Sequence, residues 1–391
     1  MNNINKPFLI IPKLIVQPTW GGSYIIASKK LDTTPEYASL RIGQSYELFG
    51  GSKLALEITD SNDPAFIPEL GNANSHDTIT NNPLYYSSSE HVVLQDLVEE
   101  QKEVVVGPRI WEEYKKMPLL IKLNQSKGNS FQLHIKPGSQ SERWLPKPES
   151  WYYFEDGRVT LGLKRGTDLN AYKQTCLEIA KYMQQLSQLV ITSQTSFDEA
   201  KKLAKNFIET ADPWQFVNVV SIKKGELVDL SSGGIHHSWE ESDENPLGNI
   251  VYEVQHDVMD PQCTIRSFDQ GKFKDDGTIR EIHIQDYFDN IDTDSVVNDP
   301  SHAIVQRNGE NLLSTPYYCL DELIVSEKKE VSIGQSFEHI YVQSGEVTIA
   351  GGEGEVVVSQ GNSAFLPYSL SSYSITPLIP STVLRAYISS K

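Results

Sequence analysis

Apolar and polar residues alternate in short runs along most of the chain, with Gly, Pro, Asn or Ser interrupting every few positions. Runs at 117–123, 151–154, 158–163, 216–220, 250–254 and 340–342 are rich in β-branched and aromatic residues and predict short strands, hence a sandwich or jelly roll. One stretch departs from this pattern. Leu169, Tyr172, Cys176, Ile179, Met183 and Leu186 recur at close to helical spacing. Ser196 followed by Glu199 fits a capping box, opening a second helix through Ala200, Leu203, Phe207 and Ile208 that Asp212-Pro213 closes. The span 168–211 therefore predicts a helical hairpin inserted between strands, covering an edge or end of the β-domain. Residues 59–92, polar and rich in Asn, Ser, Asp and Pro, predict long surface loops, and 96–103 a short helix.

The chain also resembles itself. Residues 149–160 align with 337–348 around Gly157 and Gly345, and 225–230 align with 361–366 around Gly225 and Gly361. Strand, Gly turn, strand, then a glycine leading to a buried turn are the two ends of a cupin-like jelly roll. The expected fold is all-β with a helical insertion and two cupin-like jelly rolls. Residues 1–167 and 212–299 would form the catalytic jelly roll, 168–211 the insertion and 300–391 the C-terminal jelly roll. The alignment sets Glu149 opposite Phe337, and His236 opposite Ser372. Only the first copy is expected to bind metal.

That expectation rests on a small polar set. In Phe131-Gln132-Leu133-His134, strand alternation puts Gln132 and His134 on one face. With Glu149 and His236 they make a mixed oxygen and nitrogen set that suits zinc or another first-row divalent ion, one per chain. His237 neighbours His236 and so faces the other way, leaving one of the two as ligand.

The remaining numbers exclude classes of partner. With 391 residues, 52 acids against 34 bases and a net charge of −18, the chain lacks the basic surface that nucleic acid requires. No apolar run is long enough to span a membrane, and the first residues do not read as a secretory signal. Cys176, Cys263 and Cys319 are widely spaced and odd in number, which fits a reducing cytoplasm. Oligomeric state is not legible.

Several segments in order resemble the type I mannose-6-phosphate isomerases, particularly their shorter bacterial members. Trp20-Gly21-Gly22 and Ile42-Gly-Gln-Ser-Tyr-Glu47 resemble the family's WGG and IGESWE segments. Pro118-Leu-Leu-Ile-Lys122 precedes Gln132-Leu-His134 as PLLIK precedes QVH, and Lys147-Pro-Glu149-Ser-Trp151 and Gly233-Gly-Ile-His236 stand at GKTE.W and AGTVH. Tyr252-Glu253-Val-Gln255, Thr264-Ile-Arg266 and Arg280-Glu-Ile-His283 resemble LEIQ, TYR and RELHI.

The resemblance implies a zinc-dependent aldose–ketose isomerase acting on mannose 6-phosphate and fructose 6-phosphate, with Gln132, His134, Glu149 and His236 as metal ligands. It implies that Arg266 stabilises an enediolate or orients the sugar, with Glu253 as acid–base partner. Lys122, Lys136 and Lys272, or Arg143, are candidate contacts to sugar hydroxyl or phosphate oxygens. The sequence departs from the family where His134 is followed by Ile135 rather than Pro, and where Asp269-Gln-Gly-Lys272 carries Lys for Arg. Another aldose, or a non-catalytic metal-containing sugar-binding cupin, are the rival readings. An iron dioxygenase fits the Gln-containing ligand set less well.

Overall fold

The computed structural model describes residues 4–17, 20–72, 90–128, 130–239, 242–274 and 276–389. Among these, the strands form three sheets of eight, five and ten strands. The five-stranded sheet has the spatial order Val217–Ile222, Gly157–Leu163, Gly234–Ser238, Phe131–His134 and Ile265–Phe268. It packs face to face on the eight-stranded sheet, whose centre runs Glu149–Tyr153, Asn249–His256, Leu119–Ser126 and Ile42–Leu48. Trp151, Tyr153, Val159, Leu161, Val228 and Val251 fill one half of the space between them. The other half holds the polar set.

Phe131–His134 illustrates how a four-residue strand serves two interiors. Phe131 and Leu133 join Ile235, Ile265 and Phe268 in an apolar outer face, packed against Tyr172, Cys176, Ile179 and Met183 of helix Leu169–Ile191 and Ala200, Ala204 and Ile208 of helix Phe197–Ala211. Both expected helices are present with their caps. The Asp168 carboxylate accepts from the amides of Asn170 and Ala171, and the Ser196 hydroxyl from that of Glu199, each cap contributing about 1 kcal/mol. The pair covers a face of the sheet rather than an edge. Alternation alone showed one side of each strand to be apolar, but not that the residues on three strands make one surface wide enough for two helices.

The other layer joins the two jelly rolls. The outer face of the eight-stranded sheet, through Leu14, Leu48, Ile121, Leu123, Tyr152 and Tyr252, packs on Phe8, Ile10, Tyr341, Phe365 and Leu384 of the ten-stranded sheet. Within this core Lys29 and Glu47 form a buried ion pair at 2.7 Å, completed by the hydroxyls of Ser45 and Ser363. In the ten-stranded sheet, Glu338–Gly351 and Ser372–Tyr387 are long and bent. Each pairs with different partners along its two halves, so that the sheet rolls over on itself.

The division expected at 299/300 is crossed in both directions. Phe8–Ile11, Lys53–Ala55 and His91–Val93 belong to the C-terminal sheet, with Phe8 opposite Phe365, while Ile304–Val305 pairs with Leu227–Asp229 on the metal side. Parts of the expected loop region 59–92 are strands too: Glu69–Asn72 runs parallel to Lys13–Val16, and His91–Val93 pairs with Lys53–Ala55. Residues 73–89 of that region lie outside the described residues. The expected helix at 96–103 is found at Leu94–Gln101.

Candidate metal centre

The register of the five-stranded sheet aligns His236, Gln132 and Arg266 in one row across three strands, with His134 opposite Gly234. Residues opposite each other across neighbouring strands point to the same face, so this row faces the eight-stranded sheet. There Gln255 lies opposite Glu149, Trp151 opposite Glu253, and Glu253 opposite Lys122. The two sheets thus bring imidazoles from one side to carboxylates and ammonium groups from the other.

At the centre, the ligand atoms of His134, Glu149 and His236 all lie within 4.8 Å of one another. Glu149 Oε1 is 3.1 Å from His134 Nε2 and 2.8 Å from His236 Nε2, and all three residues are buried. His134 Nδ1 donates to the Cys263 carbonyl at 2.7 Å, and His236 Nδ1 faces the Gly234 carbonyl at 3.2 Å. A carbonyl only accepts, so each ring carries its proton on Nδ1 and turns the Nε2 lone pair toward Glu149. Burial pushes the His134 pKa down to about 4, against the pull of Glu149, so that ring is neutral near pH 7. Among the described residues, His236 Nε2 has no hydrogen-bond partner. Two lone pairs and a carboxylate aimed at one point repel unless a cation stands among them, so the donor set fits a divalent metal. The Cys263 and Gly234 carbonyls fix the ring orientations as a metal site requires.

A line of charges leads away from this group. Lys147 Nζ is 2.7 Å from Glu149 Oε2 and 3.5 Å from Glu253 Oε1, which is also 3.3 Å from Lys122 Nζ. Burial alone would raise the Glu149 pKa, but the Lys147 ammonium beside it leads the opposing pull and holds it well below the usual carboxylate range. For Glu253 burial prevails over Lys122 and Lys147, with Glu149 adding to it, and its pKa is raised. Two neighbouring carboxylates with pKa values pushed apart are a common arrangement for acid–base work. Arg266 is nearly buried; it donates to Asp260 Oδ2 at 2.5 Å and to Ser130 Oγ at 3.2 Å.

The structure therefore gathers Glu253, Lys122, His134, Glu149 and His236, with Gln132 and Arg266 in the adjoining row. Lys136 and Lys272 are placed elsewhere. Lys136 is exposed and lines a cavity of about 280 Å³ with Asp229, Ser232, Asn290 and His302, whose wall also includes His134. Lys272 lies on the helix side, where Nζ donates to the Gly128 carbonyl. Arg143 is at the surface, bound to Asp286 at 2.8 Å. His237 points away from the metal group and stacks on Phe131. Lys147 and Asp260 carried no assignment in the sequence. A sign was present for Lys147, because in an extended chain it shares a face with Glu149 two residues on.

The fold is thus a pair of cupin-type jelly rolls with an imidazole–carboxylate group buried in the first. Similar solved structures are mannose 6-phosphate isomerases. The enzyme from Bacillus subtilis is 16% identical, with 98% of this chain and 100% of that one covered and a TM-score of 0.61. A zinc-bound holo mannose 6-phosphate isomerase is 15% identical, with the same coverage and a TM-score of 0.63. The Salmonella typhimurium enzyme bound to its substrate f6p and zinc is 15% identical over 98% of this chain and 100% of that one, with a TM-score of 0.61. At such identities the likeness is one of fold. No family model and no curated protein matches the sequence.

Proposed function

We propose that this protein is a metal-dependent aldose–ketose isomerase that interconverts mannose 6-phosphate and fructose 6-phosphate. The observation that carries the reading is the buried His134–Glu149–His236 group joined through Lys147 to Glu253. It supports a site with a cation position, a raised-pKa carboxyl and a guanidinium on facing sheets. Gln132 would complete the ligand set from its place between His236 and Arg266. Zinc suits these ligands, and when bound it would supply a Lewis acid for negative charge developing on the sugar oxygens.

The chain's own groups do the rest. Isomerisation moves a proton from C2 of the aldose to C1, while a hydroxyl proton passes between O2 and O1. Glu253 accepts the carbon-bound proton and returns it to the neighbouring carbon; its raised pKa brings it closer to neutrality, where a general base works best. Arg266, held by Asp260 and Ser130, presents a fixed positive charge to the enediolate formed between the two transfers. Lys122 and Lys147 hold Glu253 between them and offer donors to sugar hydroxyls. Lys122, Lys147, Glu149 and Glu253 are all buried between the two sheets.

A coupled assay of the purified protein on fructose 6-phosphate, after chelation and with zinc restored, tests this reading. Zinc-dependent formation of mannose 6-phosphate supports it. One zinc bound per chain without turnover on this pair would replace it with another aldose or a sugar-binding role.

A further inference from the structure

The row that carries Glu253 continues past the groups used above. On the eight-stranded sheet Trp151, Glu253, Lys122, Tyr46 and Lys13 stand opposite one another, each on the next strand, and so point to one face. All five are buried. The facing row on the five-stranded sheet is shorter. His236 meets Trp151 edge to face, with ring centroids 5.3 Å apart. Counting strands outward from that contact sets Gln132 over the strand of Glu253 and Arg266 over that of Lys122. Among the described residues Ile265–Phe268 is the edge of its sheet, so Tyr46 and Lys13 lie beyond it. We infer that Tyr46 and Lys13 form the subsite for the phosphate of the substrate, the Tyr46 hydroxyl donating to a phosphate oxygen and the Lys13 ammonium supplying the opposite charge. The inference rests on the isomerase reading proposed above.

Space gives the direction. On the Trp151 side of Glu253 the interior is filled by Tyr153, Val159, Leu161, Val228 and Val251. A six-carbon chain with its reacting carbons between the metal group and Glu253 finds polar groups on the other side, toward Lys122 and Tyr46. Two strand spacings, about 9.5 Å, separate Glu253 from Tyr46, which sets the phenol at the far end of such a chain. Packing fixes the two side chains. The Tyr46 ring meets Phe49 edge to face at 5.3 Å and rests on Ile15 and Leu120, while Lys13 Nζ lies 5.5 Å from the Phe49 ring centroid. One aromatic ring thus holds both the phenol and the ammonium, and groups ordered in advance cost little to immobilise when a ligand arrives. Charge agrees. Burial, and after it Glu253 and Asp257, keep the phenol protonated, so that it remains a donor. Asp260, which also bears on it, is paired with Arg266, and Glu253 with Lys122 and Lys147. In a chain of net charge −18 an anion needs cations gathered locally, and Lys13 and Lys122 flank Tyr46 from the two neighbouring strands.

The test separates the phosphate end of the substrate from its reacting end. In the zinc-loaded full chain, Tyr46→Phe removes the hydroxyl and Lys13→Met removes the charge. Each should raise KM for fructose 6-phosphate about tenfold, the scale of one charge-assisted hydrogen bond. The kcat should stay within about twofold of wild type, because a contact made equally in the ground and transition states changes binding alone. Tyr46→Phe keeps the ring and its packing, so its zinc content and melting temperature should match wild type, and it carries the test even where Lys13→Met does not fold. Independently of turnover, the phosphorus NMR resonance of bound fructose 6-phosphate should move between wild type and Tyr46→Phe.

An active wild type whose KM and bound phosphorus resonance are unchanged in Tyr46→Phe would overturn the inference while leaving the isomerase reading intact. A raised KM with an unmoved resonance would also overturn it, placing the phenol against the sugar rather than the phosphate. So would a fall in kcat at constant KM, which would put Tyr46 at the reacting carbons. A wild type that neither binds nor turns over fructose 6-phosphate would remove the reading and the inference together.

Discussion

The two jelly rolls use the same local chain pattern to build opposite interiors. Gly225 and Gly361 occupy equivalent places, adopt nearly the same left-handed conformation (φ 84° and 83°), and each is followed two residues later by a strand. At the positions beside them the copies part. Where the first has Glu149, the second has the fully buried Phe337. Leu323, Val325, Ile340, Val342, Ile349 and Val383 fill the second roll, while the first gives half of its interior to charges and imidazoles. Burying a carboxylate and two imidazoles costs several kcal/mol unless they find partners. An apolar side chain in the same place contributes roughly 1.5–3 kcal/mol. The second roll is thus built for stability and joins the first through a shared apolar core; the first holds its polar set at a cost that a cation bound among these ligands would offset.

The sharpest way to break this contrast is to alter the first interior. Glu149→Gln or His236→Ala should abolish stoichiometric zinc binding, measured by metal analysis. Turnover should fall by at least about 10²-fold, the scale of losing one stabiliser of a developing oxyanion. If either variant keeps its metal and its rate, the group is a structural network and the contrast fails. Arg266→Ala should lower kcat by about 10²-fold with zinc retained; parallel loss of metal would mean that the arginine supports the ligands rather than the reaction.

The matching change in the second roll should show the opposite signature. Phe337→Ala should cost about 3–5 kcal/mol of stability in chemical denaturation, leaving zinc stoichiometry and KM unchanged. An effect confined to low pH concerns the joint between the rolls. His339 accepts a hydrogen bond from the Tyr252 hydroxyl at 3.0 Å, and burial lowers its pKa to about 3. Its neutral form is favoured in the folded state, so its contribution is complete above pH 6.5. That contribution is lost as pH falls from 6.5 toward 3, where the unfolded chain takes up a proton and the folded chain does not. The loss is roughly 5 kcal/mol at most, and His339→Gln should flatten the acid limb of a stability-versus-pH curve. A slope unchanged by that substitution would assign acid sensitivity elsewhere. The least effect is expected from Lys136→Ala, whose KM for fructose 6-phosphate should stay within about twofold of wild type; a larger rise would bring the 280 Å³ cavity into the substrate site.

Much of this was legible before the fold. Period-two alternation at 131–134 showed which residues share a face, and helical spacing with caps at Asp168 and Ser196 marked the insertion nearly to the residue. The internal repeat pointed to two jelly rolls and named the position where they differ. What escaped was whatever depends on strands distant in the chain. Phe8–Ile11 reads like any apolar strand, and nothing in it says that its partner is Ser363–Leu366. Lys147 and Lys136 look alike as basic residues near a ligand, yet one is 2.7 Å from Glu149 and the other is exposed.

Residue type and spacing by themselves determined the all-β character, the helical hairpin and the presence of a metal-capable set, because periodicity and ligand chemistry are local properties. Tertiary structure alone decided which lysines face carboxylates, that Arg266 shares a row with Gln132 and His236, and that Asn124 donates to Glu253. Those facts follow from register between strands up to about 130 residues apart, and register is settled by the packing of whole faces, a cooperative outcome that no single segment encodes.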